Sequence, residues 1–246
     1  MNISIMGDSI STYEGFIPEG HELYYTAEKR AINNLESVRD TWWMQVIKAL
    51  DAQLLVNNSY SGSQVTGEEF PCASGIDRTS ALGKTACGAP SNPDAAATIS
   101  PDIILVYIGV NDFGFAVPCD RNYAESPEEP TFREAYATML RRMQANYPSA
   151  RIVCGTVLKP RKAFDPIWSF DEKWSYLTPL DEFNERIRFV AAECGADVAD
   201  LAAAAGGPAY DVEDDLHPNK QGHAQIAALW IAELRRLGIL AEKESM

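Results

Sequence analysis

The chain opens Met1-Asn2-Ile3-Ser4-Ile5-Met6-Gly7-Asp8-Ser9-Ile10-Ser11, an apolar run that stops at a glycine, an acid and a hydroxyl. Such a run reads as a short buried strand over residues 2–6, and Gly7 lets the backbone turn sharply after it. Ser9 then projects from the first turn beyond the strand, at the edge of an open α/β sheet where ligands bind. Gly-Asp-Ser also occurs in plain loops, so a nucleophile reading needs a base and an anion site elsewhere in the chain.

Near the other end, Asp214-Asp215-Leu216-His217-Pro218-Asn219 precedes apolar residues at Ala224, Ile226, Ala227, Leu229, Trp230 and Leu234. This spacing predicts an amphipathic helix over 218–237 with Pro218 in its first turn. His217 then sits in a loop, and Asp214 can fold back to hold one ring nitrogen protonated. The other nitrogen is free to take a proton from a serine. Alone, the pair reads as well as a capping acid beside a surface histidine; with Gly7-Asp8-Ser9 the chemical reading gains. Asp215 is the alternative partner after a one-residue shift. His223 falls inside the predicted helix, where packing or capping is expected, and His21 has only Glu22 beside it and no assigned role.

Two middle stretches repeat the pattern. Leu54-Leu55-Val56-Asn57-Asn58 leads into Ser59-Tyr60-Ser61-Gly62-Ser63, and Ile103 to Ile108 leads into Gly109-Val110-Asn111-Asp112. Acyl transfer needs donors pre-aimed at the oxyanion of its tetrahedral intermediate. The candidates are the backbone N–H groups of Ser9 and Gly62 and the side-chain amide of Asn111.

In these four blocks the chain resembles the SGNH hydrolase superfamily, also called the GDSL esterase/lipase family. Gly7-Asp8-Ser9, Gly62, Gly109-x-Asn111-Asp112 and Asp214-x-x-His217 carry the resemblance. It implies Ser9 as nucleophile, His217 as general base and Asp214 as its orienting carboxylate, with an oxyanion hole from Ser9, Gly62 and Asn111. Family spacing favours Asp214 over Asp215. The resemblance also implies a flavodoxin-like strand order 2-1-3-4-5. The superfamily spans lipases, thioesterases, lysophospholipases and sugar O-deacetylases, so a reaction type transfers and a substrate does not.

Apolar runs predict strands near 2–6, 53–57, 102–108, 151–157 and 197–200, and helical periods predict helices near 37–50, 131–147, 180–194 and 218–237. This alternation means a parallel sheet covered on both faces, a three-layer α/β/α fold. No repeat or Pro/Ser-rich linker divides the chain, so one domain over 1–246 is expected. Three long connections, Ser11 to Glu36, Gln64 to Thr98 and Lys159 to Pro179, fall on the candidate catalytic edge. Connections of this length are usually functional or disordered. Tyr13, Phe16, Tyr24 and Tyr25 in the first, with Phe164, Trp168, Phe170, Trp174 and Tyr176 in the third, read either as pocket walls or as loop anchors. Asp8, Arg78, Asp112, Trp168 and Trp174 are the candidate pocket residues; Arg78 either meets an anionic substrate group or braces a loop. Gly83-Lys84-Thr85 is not a phosphate loop, because Arg78 occupies the position of its first glycine.

The formal charge of −14 disfavours nucleic acid as a partner. No apolar stretch reaches the roughly 20 residues of a membrane span, and no secretory leader is read, so a cytoplasmic, soluble enzyme is expected. Five cysteines without regular spacing suit reduced thiols. Cys154 reads as core and Cys194 as a helix end, while Cys72, Cys87 and Cys119 could approach one another at the mouth of the site. The expected activity is that of a serine esterase without metal or organic cofactor, acting through an acyl-enzyme on a small-molecule or carbohydrate ester with a short acyl group. A lysophospholipase or acyl-thioesterase is the alternative within the class. A non-catalytic glycan- or partner-binding protein is the alternative outside it.

Overall fold

A computed structural model describes residues 1–67, 72–85, 98–161 and 179–241. Five strands, β1 (Asn2–Gly7), β2 (Gln53–Asn57), β3 (Ile103–Tyr107), β4 (Arg151–Gly155) and β5 (Asp197–Ala199), pair in parallel in the order 2-1-3-4-5. Register runs from Ile3 opposite Ile103 to Gly7 opposite Tyr107, so β1 and β3 end level at the same edge. Parallel neighbours need crossovers. Three of them run through the long helices α1 (Trp42–Ala49), α2 (Phe132–Asn146) and α3 (Leu180–Cys194); α4 (Lys220–Arg236) follows the last strand, and α1 packs against α4 and α2 against α3.

All five residues of β3 are buried, as an unbroken apolar run should be when a strand is covered on both faces. Trp42 of α1 and Trp230 of α4 stack with ring centroids 5.3 Å apart, and Trp42 Nε1 donates to Ser11 Oγ at 3.2 Å. The aromatic core is thus tied directly to the turn that carries Ser9.

Several elements differ from expectation, each for a local reason. The helix expected over 37–50 is a 3-10 turn, Val38–Asp40, followed by α1. Thr41 takes an extended conformation between them and caps α1 by accepting from Met44 N. At the other end Asn219, not Pro218, borders α4: its Oδ1 accepts from Gly222 N at 2.9 Å, so Pro218 lies before the cap rather than in the first turn. The second long connection contains a short helix, Ile76–Ser80, and an antiparallel pair, Lys84–Thr85 with Thr98–Ile99. Lys84 and Thr85 therefore form a strand and not the helix a phosphate loop requires. Cys119 is fully buried, which removes it from the mouth of the site. Cys154 lies in β4 and Cys194 ends α3, while Cys87 lies outside the described residues. No helix among the described residues is long and apolar enough to cross a membrane.

Candidate active site

β1 lies between β2 and β3, and its end delivers Ser9 to the middle of the sheet edge in a 3-10 turn, Ser9–Ser11. Asp8 caps this turn by accepting from Ile10 N at 3.0 Å. Gly7 is needed for space rather than for an unusual turn: a Cβ there would stand 2.6 Å from Ser11 Oγ and 2.9 Å from Ser59 Oγ.

His217 Nε2 lies 3.0 Å from Ser9 Oγ, and His217 Nδ1 lies 2.8 Å from Asp214 Oδ2. The other carboxylate oxygen of Asp214 accepts from the backbone N–H groups of Leu216 (2.9 Å) and His217 (2.6 Å). Short acidic side chains favour such bonds to the backbone two and three residues on. The loop itself therefore aims Asp214, and not Asp215, at the imidazole. Burial raises the Asp214 pKa, but the bonds from His217 and Tyr24 outweigh it and hold the carboxyl well below its ordinary range. Burial lowers the pKa of His217, and the bond to Asp214 offsets only part of that. A neutral imidazole with its proton on Nδ1 presents an acceptor, Nε2, to the Ser9 hydroxyl.

Hydrogen bonds also join the middle motifs to this edge. Tyr60 N donates to Gly7 O at 3.2 Å, which brings the Ser59–Ser63 turn alongside the end of β1. Asn111, in the short helix Val110–Gly114 after β3, donates from Nδ2 to Ser63 O at 2.9 Å. One hydrogen of its amide is so used, and the second remains for another acceptor. Gly62 has φ +81°. Among the described residues, no metal-like group of three or more His, Cys, Asp or Glu side chains is present.

Three candidate pocket residues are scaffold instead. Asp112 is fully buried, and its carboxylate accepts from Val65 N (2.8 Å), Thr66 N (3.0 Å) and Thr66 Oγ1 (2.9 Å). Burial raises its pKa to about 6. Arg78, also buried, donates to Asn58 O (2.7 Å), Gly7 O (3.3 Å) and Ser63 Oγ (3.0 Å). It braces the two turns against each other. Asp8 is turned inward by its capping bond, and burial, reinforced by the nearby charge of Asp112, pushes its pKa up to about 7. Trp168 and Trp174 lie outside the described residues.

Two tyrosines of the first long connection, read only as loop aromatics from the sequence, meet the His217 loop. The Tyr24 hydroxyl donates to Asp214 Oδ2 at 2.5 Å, and its ring stacks on His217 with centroids 3.3 Å apart and planes 11° apart. The Tyr25 hydroxyl donates to Pro218 O at 2.8 Å. Nothing in a Tyr-Tyr pair signals a partner 190 positions away; the only local hint is its place just before the Thr26 cap of the helix Ala27–Ile32.

A family model described as GDSL-like lipase/acylhydrolase matches residues 1–159. The chain belongs to that family. Membership makes this GDSL-like protein an ester-bond hydrolase. The match ends before Asp214 and His217, so their approach to Ser9 is an observation of the fold independent of it. Two solved proteins named for their likeness to GDSL lipases are similar along their whole length. The one from Bacteroides ovatus is 27% identical with a TM-score of 0.63, over 96% of this chain and 98% of its own. The one from Bacteroides uniformis is 26% identical with a TM-score of 0.65, over 96% and 95%. A family two carbohydrate esterase from Clostridium thermocellum shares the fold at 19% identity and a TM-score of 0.58, over 97% of this chain and 64% of its own. No curated protein matches the chain.

Proposed function

We propose that this GDSL-like hydrolase is a serine esterase that works through an acyl-enzyme. The observation that carries the reading is the unbroken row Ser9 Oγ, His217 Nε2, His217 Nδ1 and Asp214 Oδ2, with gaps of 3.0 and 2.8 Å. His217 takes the Ser9 proton as Oγ bonds to the ester carbonyl carbon. Asp214 holds the imidazole in the required tautomer and offsets the charge it gains. The carbonyl oxygen becomes an oxyanion held by the N–H groups of Ser9 and Gly62 and by the Asn111 amide. Collapse of the intermediate breaks the bond to the alkoxy oxygen, which leaves as an alcohol with the proton from His217. Water then attacks the acyl-enzyme by the same route, giving the carboxylic acid and restoring Ser9.

The substrate class we propose is a short-chain acyl ester, such as an O-acetyl group on a carbohydrate. A net charge of −14 is unfavourable at an anionic lipid surface. The connection laid beside Ser9 is rich in aromatic side chains, whose flat faces suit sugar rings, and the fold is shared with a carbohydrate esterase.

Initial rates on p-nitrophenyl esters from acetate to palmitate, with Ser9→Ala as the blank, test this reading. A steep preference for acetate or propionate is expected. A maximum at eight carbons or longer would replace the short-acyl substrate with a lipid or thioester one, and activity equal to the blank throughout would end the esterase reading.

A further inference from the structure

The outer side of the Ser9–His217–Asp214 row is covered by a residue to which the reaction gives no role. Tyr24 meets both other members at once, through its ring on His217 and its hydroxyl on Asp214. Its backbone is tied to the serine as well. Tyr24 N donates to Thr12 Oγ1 at 3.1 Å, and the Thr12 hydroxyl donates to Ser9 O at 2.9 Å. Next to it, Tyr25 sets its ring edge-on to Tyr24 at 4.9 Å and donates to Pro218 O, so the pair holds two successive residues, His217 and Pro218. The contact is thus built from three sides rather than made by a passing loop.

We infer that Tyr24 is a positioning residue for the esterase reaction. Its ring fixes the plane of the His217 imidazole, and its hydroxyl shares the Asp214 carboxylate with the histidine. The inference rests on the proposed roles of Ser9 and His217.

The electrostatic consequence has a definite sign. Asp214 receives four donors: Tyr24 Oη and His217 Nδ1 on one oxygen, and the N–H groups of Leu216 and His217 on the other. Each donor takes up part of the carboxylate's charge and weakens its pull on a proton at His217. Removing the Tyr24 hydroxyl returns that charge to the histidine and makes the imidazolium easier to form. The other charged or titratable groups around the pair are Lys29, whose Nζ lies 5.4 Å over the Tyr24 ring, Tyr25 and Tyr210, which burial keeps protonated, and His223 on α4, which burial keeps neutral. None of these is altered when only the hydroxyl is removed. The stacked ring acts separately: it supports the imidazolium that forms during reaction, as aromatic faces support cations.

The test is the pH dependence of kcat/KM for p-nitrophenyl acetate in wild type, Tyr24→Phe and Tyr24→Leu, with Ser9→Ala alongside. Tyr24→Phe keeps the ring and should move the acid limb to higher pH, by up to about one unit. Tyr24→Leu should also lower kcat, by roughly five- to thirty-fold from the lost ring. Site-specific 3-fluorotyrosine at position 24 preserves the packing and makes a stronger donor, so it should move the limb to lower pH. A merely structural tyrosine would leave the limb of the phenylalanine and fluorotyrosine proteins where wild type has it, and that result overturns the inference. Hydrolysis surviving in Ser9→Ala would instead overturn the reading of the row itself.

Discussion

The Ser9 hydroxyl and the His217 imidazole stand 208 positions apart in the chain and 3.0 Å apart in space. What closes that distance is the first long connection. Tyr25 bonds Pro218 O, and Lys220 N donates to Asn33 O at 2.9 Å, so the loop carrying His217 is docked on the segment that leaves Ser9.

The pH profile follows from His217. In the free enzyme the base must be neutral, and burial lowers its pKa from 6.5. The acid limb of kcat/KM should therefore have its midpoint below pH 6.5 and a slope of one proton; a midpoint above 7 would contradict the burial seen here. Asp214→Asn should lower kcat by roughly 10⁴ through the wrong tautomer, without unfolding the protein.

Asn111 offers one amide hydrogen to Ser63 O and has a second available. Asn111→Ala should reduce kcat by roughly 10²–10³ while leaving KM little changed. Unchanged kcat would remove Asn111 from the oxyanion hole.

Gly222 sits in α4 where the backbone of Asp211 crosses it. A Cβ at this position would stand 2.1 Å from Asp211 O and 2.9 Å from Pro218 Cβ. Gly222→Ala must push away the loop that holds His217, at a cost of about 1–3 kcal/mol. Thermal unfolding and kcat measured together should both fall, whereas an unaltered melting temperature would show that the loop yields freely.

His223 is buried and neutral. Its Nδ1 accepts from Trp42 N at 3.2 Å, and burial lowers its pKa from 6.5 to about 3. Below pH 6.5 the unfolded chain binds a proton here that the folded chain refuses, so this site's contribution to stability falls as pH falls. Asp8 and Asp112, with raised pKa values, act with the opposite sign but are common to wild type and variant. The stability advantage of wild type over His223→Gln, from urea unfolding, should shrink by roughly 1.5 kcal/mol between pH 6.5 and 5. A constant difference would mean that His223 takes up its proton in the fold.

The strand positions and the Ser9, Asn111 and Asp214-x-x-His217 motifs were legible because each depends on nearby residues, whereas the strand order was available only through the family resemblance. A continuous apolar run marks a buried strand, and a polar motif after it marks the sheet edge. For Arg78 the sequence left loop-bracing as one of two readings, and Asp112 and Tyr24 were not legible for the opposite reason. The Asp112 partners lie 46 and 47 positions away and that of Tyr24 190 away, so whether a charge is buried or a ring is stacked depends on the fold and not on the local pattern. Gly7 was read as allowing a sharp turn, whereas the need for space beside Ser11 and Ser59 shows only once the strands are assembled.

A serine activated by His217 is open to covalent labelling. Treated with a fluorophosphonate and examined by intact mass and peptide mapping, wild type should gain a single adduct on Ser9. Ser9→Ala should gain none, and His217→Ala should react at least about 10³-fold more slowly. An adduct that persists in Ser9→Ala, or a wild type that never reacts, would mean that Ser9 is not the activated nucleophile.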